Sequence, residues 1–521
     1  MSRWGWLWIA VPLLLVAFLS LREIGTADFW WQWATGRHIL ENGIPTHDPW
    51  LTTAEPQPWI ELRWIYCVGL YWMVENVGAW LAILCVAALY VAGVGFAISA
   101  GGRAAPRWLM VAGVACAIAI GRRLVVRPEA FTLALLGLFL YLIARVRQKK
   151  LAPKWALTWL AAAQLLWVNT HALFALGPIM CAIWLACELI AKGEFRKVAA
   201  TAFLITIACS FVNPYGTSGV LFPLTLLTEL HVGAYRNNIV ELRSPFVMGI
   251  TPSLIAHMLL AFMVAICAWK KRGDSFLLIA TATTFYLSLT AVRNVPLFAI
   301  VAVAYCSSCP LVVTKFSRYA AGVAGFVAVL VAYSFAIGTW TLEDRLGFGI
   351  DESRYGLSAA RGLVEAGAPQ PIFNTLVEGS LLEAERQRAY CDPRLEVLPQ
   401  ARFLEMLSIA RLHQPFPAEF VSALVAIDSP IAAKLVKEGG WRLVGIDSVA
   451  IALVREEGAS VTMIGHMIGF HIPMFQPDFS WFRISQSPVL YRRIATFFRN
   501  LGDHETADDL MEEARRVHPA R

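Results

Sequence analysis

About eleven apolar stretches follow one another between residues 4 and 338, and each is close to the length a helix needs to cross a bilayer. That length is roughly 20 residues at 1.5 Å rise per residue. They cover residues 4–21, 77–99, 106–120, 131–146, 155–168, 173–190, 198–212, 252–269, 275–290, 296–313 and 319–338. A chain so patterned buries its backbone polar groups in helices, because hydrocarbon offers them no other partner. Composition agrees: 58% of the 521 residues are hydrophobic and 16% are charged, against about 25% charged in soluble domains. Disorder, collagen and a small disulfide scaffold are excluded. The net charge of +7 is not a nucleic-acid signal, because the basic residues sit in short clusters between apolar runs.

Those clusters set the expected topology. With the N-terminus inside, every second loop is basic: Arg103 and Arg107; Arg147, Lys149, Lys150 and Lys154; Lys192, Arg196 and Lys197; Lys270, Lys271 and Arg272; Lys315 and Arg318. The positive-inside rule places these loops in the cytoplasm. Segments 22–61 and 213–251, and everything after about residue 340, then face out. The first run lacks a small-residue cleavage site and is read as a helix rather than a leader. Residues 155–190 are read as two short spans turning at Asn169-Thr170-His171, since a single long helix breaks the alternation downstream.

From residue 341 charge rises and apolar runs shorten, as expected of an outer α/β domain spanning 340–487. Residues 353–365, 418–427 and 431–437 read as helices, and 371–376 as a strand. Residues 441–444 and 449–455 read as a hairpin. Residues 488–519 resemble a single tetratricopeptide repeat, in Tyr491, Ile494, Ala495, Phe498, Gly502, Ala507, Met511, Ala514 and Pro519. Small residues there let two helices approach and Gly502 supplies the turn. The hairpin reads as a cap on the α/β domain or as a docking point for a protein partner.

No phosphate-cradling glycine motif is present. Cys306-Ser307-Ser308-Cys309 has no second pair and reads as structural, and Cys391 reads as free and buried. The polar residues of the outward loops carry more. The first loop holds Asp28-Phe29-Trp30-Trp31-Gln32-Trp33, then Gly36-Arg37-His38, Gly43-Ile44-Pro45-Thr46-His47-Asp48-Pro49 and Pro58-Trp59. Tryptophan faces pack against sugar rings and against headgroups alike, so Trp30, Trp31 and Trp59 fit substrate or interface. A carboxylate at the membrane surface suits a general base for a hydroxyl nucleophile, and Asp28 is placed for it. Asp48 before Pro49 also fits a turn. Arg122, Arg123 and Arg127-Pro128-Glu129 run against the positive-inside trend. Arginine forks match phosphate oxygens, so a lipid-linked phosphate or anionic headgroups explain them. Asn169, His171, Asn213, Arg236, Glu241, Arg243, Arg293 and Asn294 fall at the same expected face. Polar groups at membrane depth are costly and point to function.

Several of these runs resemble a family of bacterial multi-spanning proteins described as glycosyltransferases of the GT-C superfamily. The resembling motifs are Asp28-Phe29-Trp30-Trp31, Thr35-Gly36-Arg37, Gly43-Ile44-Pro45, Asp48-Pro49, Pro58-Trp59, Arg127-Pro128, Trp167-Val168-Asn169-Thr170-His171, Asn213-Pro214-Tyr215-Gly216, Ser244-Pro245 and Arg293-Asn294-Val295-Pro296-Leu297-Phe298. The tail adds Ile372-Phe373-Asn374, Cys391-Asp392-Pro393-Arg394 and Trp441-Arg442-Leu443. The resemblance implies an α-helical polytopic membrane protein in a bacterial inner membrane, GT-C-like over residues 1–339. It also implies an outer face that takes a sugar from a polyprenyl-phosphate carrier. Asp28 would be base or metal ligand, and Arg127 with Arg122 or Arg293 would neutralise the departing phosphate. A divalent cation such as magnesium or manganese stays open, with Asp28, Asp48 or Glu61 as ligands. Gln32 stands where the family has histidine, Leu62-Arg63-Trp64 where it has His-Glu-Trp, and Asp392-Pro393-Arg394 where it has Asp-Gly-Arg. A second acid beside Asp28 is missing, leaving Glu23, Asp48 or Glu61 as stand-ins. Two further readings remain: a non-catalytic scaffold for envelope glycan synthesis, and a transporter of lipid-linked sugar. No internal repeat supports the transporter.

Overall fold

The computed structural model describes residues 5–53, 55–230, 233–270, 273–310, 315–337, 345–456 and 488–517. In chain order its helices are α1 (Gly5–Ser20), α2 (Phe29–Asn42), α3 (Trp64–Asn76), α4 (Ala79–Gly101), α5 (Pro106–Ile120), α6 (Glu129–Arg147), α7 (Pro153–Val168), α8 (Leu176–Ile190), α9 (Arg196–Ser210), α10 (Thr217–Leu230), α11 (Ala234–Asn238), α12 (Pro252–Trp269), α13 (Ser275–Thr290), α14 (Val295–Ser307), α15 (Lys315–Ala336), α16 (Leu357–Glu365), α17 (Leu376–Ala384), α18 (Gln400–Ala410), α19 (Pro430–Glu438), α20 (Pro488–Leu501) and α21 (His504–Val517). The chain divides into two compact units. The first holds Met1–Arg22, Ile60–Trp340 and Leu346–Phe348; the second holds Glu23–Trp59, Thr341–Arg345 and Gly349–Arg521. This differs from the expected division at residue 339: the tryptophan-rich first loop counts with the C-terminal residues.

The first unit is a helical bundle. Helices overlie each of the eleven expected segments. Among the described residues, five helical stretches are long and apolar enough to cross a membrane: Ala79–Gly101, Glu129–Arg147, Ala172–Ile190, Pro252–Trp269 and Arg318–Ala336. Prolines open α5, α7, α12 and α14, where the missing N–H costs nothing. Helices α4 and α6 approach through Gly93 and Gly137: a methyl on Gly137 would stand 2.4 Å from the Gly93 carbonyl oxygen. Such contacts between small residues hold helices together where lipid removes the hydrophobic drive. Segment 155–190 breaks into α7 and α8, with a turn at Asn169 and His171 between them. Three helices go beyond the expectation, the short α11 among them. Helix α3 follows the polar Glu61-Leu62-Arg63, and α10 carries Pro223 inside a stretch read as loop.

The second unit contains a four-stranded sheet in the order β1 (Ile372–Asn374), β2 (Ser422–Ala426), β4 (Ala450–Arg455), β3 (Trp441–Ile446). Strand β1 pairs parallel with β2, and the other pairs are antiparallel. Residues 418–427 were expected as a helix and are not one; they contain β2. Ser-Ala-Leu-Val-Ala is buried almost throughout, and a short run apolar on both faces gives periodicity nothing to distinguish. The β3–β4 hairpin and α19 lie where expected, whereas α17 and α18 exceed the expectation. Helices α20 and α21 turn at Gly502, whose φ of 88° favours a residue without Cβ. Arg493 of α20 pairs with Asp428 before α19 at 2.8 Å.

Candidate functional site

The loops at one end of the first unit bring together side chains that are far apart in sequence. Arg123 ends a short 3-10 turn, Gly121–Arg123, after α5. That turn is fixed from two sides. Arg22 Nη2 donates to the Gly121 carbonyl at 2.5 Å, and the Tyr90 hydroxyl lies 2.8 Å from the Arg123 carbonyl. Arg123 then pairs with Glu241 at 2.7 Å and with Glu129, the first residue of α6. Arg127 reaches the same Glu241 oxygen at 3.1 Å. Burial alone would raise the Glu241 carboxyl, but Arg123 and Arg127 outweigh it and hold it well below the usual carboxylate range. Glu129 and Glu241 likewise overcome burial and raise Arg123.

Arg293 sits in the 3-10 turn Val292–Asn294 between α13 and α14. Asn294 fixes that turn by donating to the Leu287 carbonyl at 3.1 Å, and Val292 N–H reaches the Arg243 carbonyl at 2.8 Å. Among the described residues Arg293 makes no ion pair. Burial, then the Arg123 charge, lower its proton affinity from the ordinary guanidinium value. This is what a cation short of counter-charge shows. Arg122 is exposed and also makes no ion pair among the described residues. Arg236 is exposed, and its carbonyl accepts from Arg243 Nε at 3.3 Å.

The remaining polar residues at this end hold the loops in shape. Asn169 donates to the Leu165 carbonyl at 2.8 Å and the Val212 carbonyl at 2.9 Å, and accepts from Trp64 Nε1 at 2.9 Å. It thereby ties the ends of α7 and α9 to α3. Asn213 closes its own turn through Ser210, Gly216 and Tyr215. His171 Nδ1 accepts from Leu173 N–H at 3.4 Å and lies 2.8 Å from the Thr132 hydroxyl, and the charges of Arg63, Arg293 and Arg123 act on the ring. Arg63 stands where the resembling family has the glutamate of His-Glu-Trp, so the motif gives it no role. It belongs to this cluster, held bidentately by buried Glu61 at 2.6 and 2.8 Å.

Other sequence candidates fall in the second unit. Asp28 precedes α2 and is half-buried, and Trp31 Nε1 donates to its Oδ1 at 3.3 Å. Trp31 is buried, and Trp30 packs edge-on against Phe29, Trp33 and Tyr355. Arg37 donates to the Ala384 and Glu383 carbonyls at the end of α17, at 2.9 and 3.1 Å. Asp48 lies 2.6 Å from Arg394, whose guanidinium carbon stands 4.6 Å from the Trp59 ring centre and 4.8 Å from that of Trp50. Arg37, Asp48 and Trp59 are thus engaged inside the unit.

The metal implied by the resemblance finds little to hold it. Asp48 is taken up by Arg394 and Glu61 by Arg63. Among the described residues no group of three or more His, Cys, Asp or Glu is placed to bind an ion. Asp28, which accepts from the Trp31 indole, does not by itself make a cation site, so the residues do not fit the group.

No family model matches the sequence, and no curated protein is similar to it. Among solved structures, ArnT from Cupriavidus metallidurans bound to undecaprenyl phosphate is similar at 13% identity and a TM-score of 0.49, over 88% of this chain and 99% of that one. An Archaeoglobus fulgidus oligosaccharyltransferase tethered to an acceptor peptide is similar at 11% identity and 0.48, over 88% of this chain and 74% of that one.

Proposed function

We propose that this chain is a GT-C-type membrane glycosyltransferase. It moves a sugar from a polyprenyl-phosphate carrier to an envelope glycan, lipid or protein acceptor on the outer face of a bacterial inner membrane. The N-terminus lies in the cytoplasm and the C-terminal unit outside. The observation that carries this reading is Arg293, a half-buried residue that makes no ion pair among the described residues, near arginines that already have theirs. A cation so placed stabilises an anion that the protein does not supply. A phosphate leaving group is such an anion, and its charge grows as the sugar–phosphate bond breaks.

In the proposed reaction an acceptor hydroxyl oxygen bonds to the anomeric carbon. The carbon–oxygen bond to phosphate breaks, and polyprenyl phosphate leaves with the bonding pair. The hydroxyl proton passes to a general base, for which Asp28 of the first outward loop is the candidate. The Trp31 indole beside it keeps Asp28 Oδ1 oriented. Arg293 neutralises the departing phosphate, with Arg122 as the second cation lacking a partner among the described residues.

Profiles of glycans and lipid-linked saccharides test this. They compare a host lacking the gene with the same host carrying wild type, Asp28→Asn or Arg293→Met at equal abundance. The null strain is expected to lose a saccharide or accumulate its unglycosylated precursor, and both variants to do the same. Full restoration by both variants would overturn the transferase and leave a scaffold.

A further inference from the structure

His171 ends the turn between α7 and α8, and the donors around it decide its tautomer. The Thr132 hydroxyl lies 2.8 Å from His171 Nδ1. That hydroxyl already accepts from Trp167 Nε1 at 3.0 Å, so its own proton is available for the ring. Leu173 N–H also points at Nδ1, at 3.4 Å. A proton on Nδ1 would face the Leu173 N–H, and the Thr132 hydroxyl, able to accept as well as donate, turns its proton toward a bare Nδ1. Nδ1 is therefore the acceptor, and the ring proton sits on Nε2. Among the described residues Nε2 has no hydrogen-bond partner, and His171 as a residue is half-buried.

The charges around the ring keep it neutral. Burial first, then Arg63, Arg293 and Arg123, hold His171 down to about 3. The acids of the cluster do not offset this, because Glu61 is spent on Arg63, and Glu129 and Glu241 on Arg123 and Arg127. A neutral N–H donor near Arg293, which makes no ion pair among the described residues, complements an oxyanion, one group giving direction and the other charge.

We propose that His171 is a neutral hydrogen-bond donor that binds a phosphate oxygen through Nε2–H beside Arg293, and that Thr132 and Trp167 are the positioning residues that fix its tautomer. The inference rests on the phosphate-binding reading of this end of the bundle and deepens it. Charge here comes from arginine, and histidine supplies orientation without titrating.

The test uses purified full-length protein in detergent micelles, with farnesyl monophosphate as probe, farnesol as its neutral control and inorganic phosphate as the free anion. His171→Phe removes the donor. His171→Gln places an amide N–H near the position of Nε2. The expected result is a loss of at least about tenfold in farnesyl monophosphate affinity for the Phe variant, as for a lost hydrogen bond to a charged group. The Gln variant should stay within about threefold of wild type. In ¹⁵N spectra of ring-labelled protein, the resonance lost in His171→Gln should report a neutral Nε2–H ring at pH 6, and it should shift on adding the probe. Circular dichroism and gel filtration confirm that the variants fold. Thr132→Val should mix the tautomers and weaken binding without touching Nε2.

A cationic ring at pH 6, or unchanged binding in a folded Phe variant, would overturn the inference. Arg293→Met would still lose binding in that case, so the proposed function would stand. If wild type bound farnesyl monophosphate no better than farnesol, both would fall. If inorganic phosphate bound as tightly with the same dependence on His171, the donor role would hold and the lipid carrier would not.

Discussion

Arg394 Nη1 lies 2.6 Å from Asp48 Oδ1, and neither side chain has any surface exposed to solvent. The contact is too bent to be a hydrogen bond, so it is an ion contact. Asp392 and Glu383 also reach this guanidinium, at 2.6 and 3.1 Å. Arg394 thus joins the first loop to the C-terminal part of the same unit. Arg394→Met is expected to leave three buried acids without their cation. Removing one partner of a buried pair costs about 3–5 kcal/mol. Thermal unfolding followed by tryptophan fluorescence should show a large drop in midpoint. A midpoint within a degree or two of wild type would show the cluster relaxing into water.

Three carboxylates around one guanidinium cannot all be ionised without a buried excess of negative charge. Glu383 is the one pushed highest: burial raises its carboxyl well above the ordinary value, and Arg394 pulls it only part of the way back. A folded value above the unfolded one means the native state binds the extra proton. The stabilisation is therefore complete below about 4.5, and it is lost as pH rises through the raised value. Glu383→Gln keeps a neutral side chain at every pH. Its unfolding midpoint should vary less than that of wild type between pH 5 and 9, and equal slopes would count against a protonated Glu383.

The apolar runs made most of the first unit readable, because hydrocarbon allows little except helix. Helix α3 escaped because Glu61 and Arg63 stand just before it, and their charges look costly until their bidentate pairing is seen. The tail was harder. β2 reads equally as helix or strand until its pairing with β1 and β4 is known. At the candidate site the residue types were legible and their duties were not. Asp48, Arg37 and Arg293 look alike in sequence as polar residues of outward loops. Only tertiary partners separate the first two, which are engaged, from Arg293, which makes no ion pair among the described residues.

Glu241 holds Arg123 and Arg127 at once. Glu241→Gln removes that negative charge from the cluster and releases capacity on both guanidinium groups. Affinity for farnesyl monophosphate should rise by about three- to tenfold, as expected for one nearby charge at intermediate dielectric. The gain should shrink with added salt. Weaker binding would mean that Glu241 fixes the arginines in place more than it competes for them.

The neutral His171 ring also predicts a pH profile. Its folded value of about 3 lies below its ordinary 6.5, so the ring stays uncharged in the folded protein from pH 8 to 5. Its contribution to stability is present above about 6.5 and is lost as pH falls toward the folded value, because the unfolded chain takes up the proton first. Binding behaves differently. A phosphate monoester has its own second ionisation near pH 6, so affinity falls toward low pH whatever the histidine does. Gln at position 171 cannot titrate and keeps the donor. The ratio of wild-type to His171→Gln affinity should therefore hold constant within about twofold from pH 5 to 8. A ratio climbing about tenfold as pH drops through 6.5 would mean a ring that gains charge on binding, and the pairing of a directional neutral donor with the Arg293 charge would be lost.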